Sequence, residues 1–431
     1  MTWNYIPLRH VTHILNRGTA PDYSDDGPVR MVSQAANQES GLDWNRTRFH
    51  SHIGDARKIK GYLQPGDSLV NSTGTGTLGR IGWFDSPPDS RPCVADGHVT
   101  VVRFDPRQVE PRFGYYYLKS ESFQKLMFET LITGATNQIE LSRERMRATP
   151  MPVAALDEQR RITEFLDAQV SHIDQIAIAH SNVRKLLTQR RISAISELIS
   201  GSSTSSRKPS EIAWLDSIPT NWESVKLAFV AKIGSGHTPS RSRPEWWTKC
   251  DIPWITTGEV AQVRNDRKET IFHTRENIST IGLANSAAEL CPTGTVVLCR
   301  TAASAGFSAV MGASMATSQD FATWICGPKL EPYYLLWCLR AMRTDLLQRL
   351  ATGSTHKTIY FPDLQSLRIP LPPLSEQREI VANIRDENDR IDRLMDAVGR
   401  QLALLAERKQ ALITAAVTGQ LDVKTARPET K

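Results

Sequence analysis

Residues 370–419 read PLPPLSEQREIVANIRDENDRIDRLMDAVGRQLALLAERKQALITAAVTG, and residues 152–201 read PVAALDEQRRITEFLDAQVSHIDQIAIAHSNVRKLLTQRRISAISELISG. The two stretches lie 218 positions apart and align without a gap. Pro152 falls on Pro370, Leu156 on Leu374, and Glu158, Gln159 and Arg160 on Glu376, Gln377 and Arg378. Further along, Ile162 falls on Ile380, Ile173 on Ile391, Leu187 on Leu405 and Gly201 on Gly419. Repetition at a fixed offset marks a duplicated unit of about half the chain.

Each copy has the pattern of one long helix. Asp157 and Ser375 offer side-chain acceptors for the first amides, Glu158 and Glu376 suit the positive end of the helix dipole, and Gly201 and Gly419 supply stops. Steps of four and three bring Ile162, Leu166, Ile173, Ile176, Val183 and Leu187 onto one stripe of the first copy. In the second copy they bring together Ile380, Ile384, Ile391, Leu394, Val398, Leu405 and Leu412. Such a narrow stripe is a coiled-coil seam. A helix of about 43 residues would be roughly 65 Å long. Two helices with one seam each most simply pack against each other, antiparallel, and hold two lobes at a fixed distance. The other arrangement is for each seam to dock on a separate partner helix.

At 431 residues with 40% apolar side chains, the chain has material for two or three domains. Lys and Arg number 52 against 46 Asp and Glu, a net charge of +6 with a pI near 9.0. This balance permits a polyanionic partner without requiring one. The six cysteines, at 93, 250, 291, 299, 326 and 338, form no CxxC pair and read as reduced thiols of a cytoplasmic protein. The N-terminal MTWNYIPLRHVTH has no apolar signal core, and no run approaches 18 apolar residues, so neither export nor membrane spanning is indicated.

The first lobe, residues 1–151, reads as short strands and turns with one helix. Arg30–Gln34, Ser68–Asn71 and Gly97–Phe104 are the strand candidates, and a helix follows Pro111 with Tyr115, Leu118, Phe123, Leu126 and Met127 on one face. The first helical region occupies 152–201, a polar linker SSTSSRKP 202–209, the second lobe 210–369, the second helical region 370–419 and a tail 420–431. The second lobe repeats the first loosely, with Trp222, Leu227, Val230 and Ile233 falling on Trp3, Leu8, Val11 and Ile14. The fold class is therefore two pseudo-repeated α/β (α+β) lobes joined by two long helices. A scaffold is held constant while what it carries varies.

Gly74-Thr75-Gly76-Thr77-Leu78-Gly79 matches GxGxxG, but Arg80-Ile81-Gly82-Trp83-Phe84 and two prolines follow where a nucleotide loop needs a helix. It reads as a glycine-rich hairpin. The histidines show no HxxxH or cysteine pairing, so no metal site is expected. There is no GxSxG elbow, no GxxxxGK loop and no methyltransferase tetrapeptide, so no catalytic residue is expected. What remains is polar and basic loop material at matching places. In the first lobe it includes Arg46, Arg48, Lys58, Thr75, Thr77, Arg80, Asn137 and Gln138. In the second it includes Ser240, Arg241, Arg243, Thr256, Thr257, Arg264, Thr355, His356 and Lys357. Arg and Lys neutralise phosphates, and Arg, Asn, Gln, Ser and Thr read base edges. For any one residue a solvated loop is an equal reading; the recurrence in both lobes favours DNA.

These features resemble the specificity subunits of type I restriction-modification systems, over essentially the whole chain. The resemblance rests on Pro370-Leu371-Pro372-Pro373-Leu374 with Glu376-Gln377-Arg378, repeated more weakly at Leu156 to Arg160, and on Trp214-Leu215-Asp216-Ser217-Ile218-Pro219 with Trp222. Asp251 to Gly258, Thr352-Gly353-Ser354-Thr355 and Ala416 to Leu421 also fit. The resemblance implies two target-recognition domains, each reading one half of an interrupted DNA sequence, with an antiparallel coiled coil as the ruler for the unread gap. It implies a subunit without a catalytic centre or bound cofactor, docked to two modification subunits and, through them, to restriction subunits. S-adenosylmethionine, ATP and Mg would be used by those partners. A self-contained DNA methyltransferase or nuclease, or a coiled-coil scaffold with no DNA role, are the alternatives.

Overall fold

Two long helices, Leu156–Ser200 and Leu374–Val417, stand where the repeat predicts them, 45 and 44 residues long. The computed structural model describes residues 3–20, 22–74, 76–134, 139–352 and 358–423. Both helices start just before the expected caps. The Gln159 and Gln377 amides donate to the carbonyls of Ala155 and Pro373, at 2.9 and 3.0 Å. Asp157 and Ser375 therefore sit inside the first turn, and Asp157 instead accepts from Arg160 at 3.2 Å. Both ends close as expected. Gly201 and Gly419 adopt φ of 59° and 75°, and the amides of Ser202 and Gln420 reach back to the carbonyls of Glu197 and Ala415. This is a Schellman closure that needs a residue tolerant of the left-handed region.

The chain forms two compact units, Met1–Ser181 with Gly399–Lys431, and Asn182–Val398. Each long helix is divided between them rather than forming a region of its own. In the first unit, Ile162 and Leu166 from the start of one helix share a core with Ile413, Ala416 and Val417 from the end of the other. Lys409 reaches Asp174 there at 2.6 Å. In the second unit, Ile195 and Ile199 share a core with Ile380, Val381 and Ile384. Within each unit the helix segments thus run antiparallel. Of the expected seam, Ile162, Leu166, Ile173, Ile380, Ile384 and Ile391 are buried, whereas Ile176, Leu187, Val398, Leu405 and Leu412 are half-buried. Val183 and Leu394 are 42% and 54% exposed. Lobe residues and the segment of the other helix together cover the buried positions, and residues 181–186 are exposed.

The first lobe carries a four-stranded antiparallel sheet in the order Thr12–Arg17, Val99–Phe104, Asp67–Asn71, Ile81–Phe84. The helix Pro111–Lys119 backs it with Phe113, Tyr116 and Leu118, all buried. Pro111 opens that helix and the Ser120 hydroxyl starts the next, Glu121–Leu126, so the expected single helix is broken in two. A mixed sheet orders Cys93–Ala95, Val29–Val32, Arg48–His50 and Tyr23–Ser24. The second lobe repeats the plan: Ala231–Ser235, Phe321–Cys326, Val296–Cys299 and Ser308–Met311 form the antiparallel sheet, extended by Thr270–Ile271. Ala316–Thr317, Ile252–Ile255 and Glu276–Ile278 form the mixed one. Even the π-helical turn recurs, at Met127–Leu131 and Leu346–Leu350.

The expected linker 202–209 is shorter than its composition suggests. Arg207–Ile212 is a strand paired with Leu215–Pro219. Arg207 turns back to donate to the carbonyls of Gly201 and Ser200, the latter an acceptor that the helix end leaves without an intrahelical partner. The glycine-rich segment after Asn71 is the expected hairpin connection, joining Asp67–Asn71 to the antiparallel Ile81–Phe84.

Candidate nucleic-acid interface

In each unit two loops meet at one edge of the antiparallel sheet. In the first, Thr73 bridges to Glu140, next to the hairpin Ile132–Thr133 with Glu140–Leu141. Arg17 fixes that hairpin by donating to the Glu140 carboxylate and the Leu141 carbonyl, both at 3.0 Å. In the second, Thr301 bridges to Thr358, and Arg300 donates to the carbonyls of Ile359 and Gln319, at 3.2 and 2.7 Å. The hairpin there pairs Ala351–Thr352 with Thr358–Ile359. The expected site residues Thr75, Asn137, Gln138, Thr355, His356 and Lys357 lie outside the described residues.

An amide and hydroxyl network supports the loops of the first unit, with Asn37 and Asn71 buried beneath them. Thr73 Oγ1 donates to Gln34 Oε1 at 3.1 Å and sits 2.8 Å from His98 Nδ1. Asn37 Nδ2 donates to Asn71 Oδ1 at 2.9 Å, and Asn71 Nδ2 to the Gln34 carbonyl at 3.2 Å. Two expected site residues are drawn into this network. Thr77 donates to the Thr73 carbonyl at 3.2 Å, and Arg80 donates to the Asn37 carbonyl and to Gln38 Oε1 at 3.1 and 3.2 Å. Arg80 is half-buried and braces the hairpin, because its stem lies along the strand that the loop must cross. The geometry gives it a structural task.

Other expected cations are exposed. Arg46 pairs with Asp43 at 2.9 Å, Lys58 ends a short turn at Ala56–Lys58, and Arg48 lies over the Tyr23 ring at 4.4 Å. Tyr23 in turn donates to Asp96 at 3.0 Å. Burial, together with the Asp96 carboxylate, pushes the Tyr23 hydroxyl up to about 12, so it stays protonated and keeps donating.

In the second unit, Ser240, Arg241, Arg243, Thr257 and Arg264 are exposed. Ser240 and Ser242 hydroxyls lie 2.8 Å apart, Arg243 is 3.8 Å from Glu245, and Arg264 lies over Phe307 at 5.3 Å. Thr256 caps the turn Thr257–Gln262, and its hydroxyl donates to the buried Glu259 at 2.8 Å, a capping box. That side chain is occupied within the fold, and Thr257 beside it is the freer hydroxyl.

The loop bearing Arg264 is held from two sides. Asp266, at the left-handed φ of 58°, takes both terminal nitrogens of Arg343, and its carbonyl accepts from buried Arg340. Burial lowers the Arg340 guanidinium to about 10. Arg267 pairs with Asp392 of the second long helix at 2.9 Å, and Arg385 of that helix with Glu269. Gln34, Asn37, His98 and Arg300 were not anticipated as parts of these surfaces. Their partners are 19 to 59 positions away in sequence, and no local pattern signals such contacts.

Among the described residues no group of three or more His, Cys, Asp or Glu side chains could hold a metal ion, and no helix is long and apolar enough to cross a membrane. The chain belongs to the type I restriction modification DNA specificity domain family, whose model matches residues 1–182 and 219–402. A protein of Methanocaldococcus jannaschii, provisionally named the type I restriction enzyme MjaX specificity subunit, is 21% identical over 432 residues, covering 98% of this chain and 94% of that one. The HsdS subunit from Thermoanaerobacter tengcongensis has a similar fold, with a TM-score of 0.56, 20% identity and 97% of both chains covered. A chain solved in a study of complex assembly and conformational transition of the type I R-M system superposes with a TM-score of 0.73 at 20% identity, over 97% of this chain and 98% of that one.

Proposed function

We propose that this chain is the DNA-specificity subunit of a type I restriction-modification complex, each unit reading one half of an interrupted target. The observation that carries this reading is the repetition of one surface in two units with different side chains. The same sheets and the segments beside them present Gln34, Thr73 and Arg48 in the first unit, and Arg241, Arg243 and Arg264 in the second. A symmetric reader would repeat the residues; one that reads two unlike half-sites repeats only the frame. The shared helices set the number of unread base pairs.

On this reading the chain contributes recognition and assembly, and the chemistry belongs to its partners. Two modification subunits would use S-adenosylmethionine to methylate the target, and restriction subunits bound through them would use ATP and Mg. Exposed Arg48, Lys58, Arg241, Arg243 and Arg264 are the side chains best placed to meet DNA, and Asn137, Gln138, Thr355, His356 and Lys357 remain candidates from the sequence.

The test is to co-express the chain with its modification subunit and map methylated bases across the host genome at single-base resolution. A new interrupted two-part motif is the expected result. A stable complex that adds no methylation and binds no duplex would refute the reading.

A further inference from the structure

Each unit brings one arginine to the contact between the same loop and the same strand, from opposite sides. The strands Val29–Val32 and Ile252–Ile255 each have a parallel neighbour, Cys93–Ala95 and Ala316–Thr317, and an antiparallel one, Arg48–His50 and Glu276–Ile278. Met31 pairs with Val94 and Arg48; Trp254 pairs with Ala316 and Glu276. Arg48 and Glu276 therefore hold the same register position.

The chain enters this sheet in both units through a glycine packed against backbone. A Cβ on Gly18 would fall 1.9 Å from the Ala95 carbonyl oxygen, and one on Gly236 would fall 2.0 Å from that of Thr317. The next amides, Thr19 and His237, donate to those same carbonyls at 3.1 and 2.9 Å. Counting on equally from each glycine reaches Tyr23 and Arg241. In the first unit the loop gives the aromatic ring and the strand the cation, Arg48 over Tyr23 at 4.4 Å. In the second the loop gives the cation. Arg241 lies over Trp247 at 3.8 Å and donates to Glu276 at 2.6 Å.

Neither arginine is needed to fill the fold. Its neighbours Arg30 and Arg91 are tied to Asp89, Thr47, Asp26 and the Gly27 carbonyl. Arg48 is exposed and has no hydrogen-bond or carboxylate partner among the described residues. Arg241 is 59% exposed with one carboxylate on one terminal nitrogen, which leaves the rest of its fork unpaired. A guanidinium stacked on a ring has already lost much of its rotamer freedom, so less entropy is lost when it binds. Its parallel N–H pair matches the O6 and N7 acceptors of guanine in the major groove.

We propose that Arg48 and Arg241 are the guanine-reading side chains of the first and second units, each donating to O6 and N7 of one guanine in its own half-site. The proposal rests on the chain being a DNA-specificity subunit. It adds that two unlike half-sites are read from one loop–strand contact of the frame, the cation coming from the strand in one unit and from the loop in the other.

The test uses the whole chain co-expressed with its modification subunit and compares methylation maps of wild type, Arg48→Gln and Arg241→Gln. Each variant should lose the guanine requirement at a single position of one half-site, by about tenfold to a hundredfold in discrimination, with the other half-site unchanged. Arg→Lys at each position, which keeps the charge without the fork, should give a smaller loss at the same position. Retention of the wild-type motif at a lower overall methylation level would make these arginines phosphate contacts and overturn the proposal, as would a variant that altered both half-sites. A wild-type map with no two-part motif would instead overturn the reading of the chain itself.

Discussion

The amide of Glu331 donates to Oε1 of Gln377 at 2.9 Å, and the same glutamine gives its two N–H groups to the carbonyls of Lys329 and Pro372. Gln159 does the same in the first unit with the Glu110 amide and the Gln108 and Ala154 carbonyls. Both glutamines are fully buried. Each latches the start of a long helix to the loop that launches the helix at Pro111 or Pro332. This explains physically why the Glu-Gln-Arg triplet appears in both copies. Gln377→Ala should cost about 2–4 kcal/mol, since it strands a buried N–H and two carbonyls. Hydrogen exchange should then speed up in 327–340 and 372–384 while 105–118 stays protected. Equal acceleration in both units, or none, would show that the latch does not act locally.

The lobes should be exchangeable at their hydrogen-bonded roots. Leu8 N–H donates to the Thr149 carbonyl at 2.9 Å, and Leu227 N–H to the Leu367 carbonyl at 2.8 Å. Replacing residues 8–149 by the matching segment of another specificity subunit should change one half of the methylated motif only. A change in both halves would contradict independent readers.

Arg243 is 63% exposed and loosely paired with Glu245. If it neutralises a phosphate, Arg243→Ala should leave the motif intact and flatten the log–log salt dependence of duplex binding by about 0.9. Titration of fluorescent duplex across a salt series reads the slope directly, and an unaltered slope removes Arg243 from the phosphate contacts.

Burial raises five of the six thiols out of the reactive range: Cys93 and Cys326 are pushed to about 12 and Cys299 to about 11, with Cys291 and Cys338 also raised. Since the thiolate is the nucleophile, alkylation of the native chain at neutral pH should label half-buried Cys250 first and the others only on unfolding. Peptide mass mapping over a time course checks the order. Rapid labelling of Cys93 or Cys299 would mean the sheets open readily.

The long helices were legible because 3.6-residue periodicity and a glycine stop are local signals, and the strand at Val99–Phe104 was legible from its β-branched run. The helices start at Leu156 and Leu374, each one residue before the polar side chain, Asp157 or Ser375, that could cap it, because Ala155 and Pro373 take the cap position without a side-chain acceptor. Arg207 was read as linker because its role, closing the helix end, is visible only once the hairpin folds back. Among the site residues, Arg241, Arg243 and Arg264 are exposed as their loop composition suggests, while Arg48 is exposed on the strand Arg48–His50 rather than in a loop. Arg80, Thr77 and Thr256 are occupied inside the fold because their acceptors come from neighbouring turns. Tyr23 and Arg241 stand at the same offset as the long helices, but the equivalence of Arg48 with Glu276 leaves no trace in an alignment of letters, since only strand register preserves it.

The first unit is assembled from both ends of the sequence, with Ile413, Ala416 and Val417 filling a core otherwise built from residues 8–166, whereas the second unit is one continuous segment, Asn182–Val398. The second unit therefore has its whole segment available before the first does, and the first must wait until residues 399–417 are available. A nascent chain interrupted shortly before that point would carry a finished second reader and an unfinished first one, its apolar face open to chaperones and proteases.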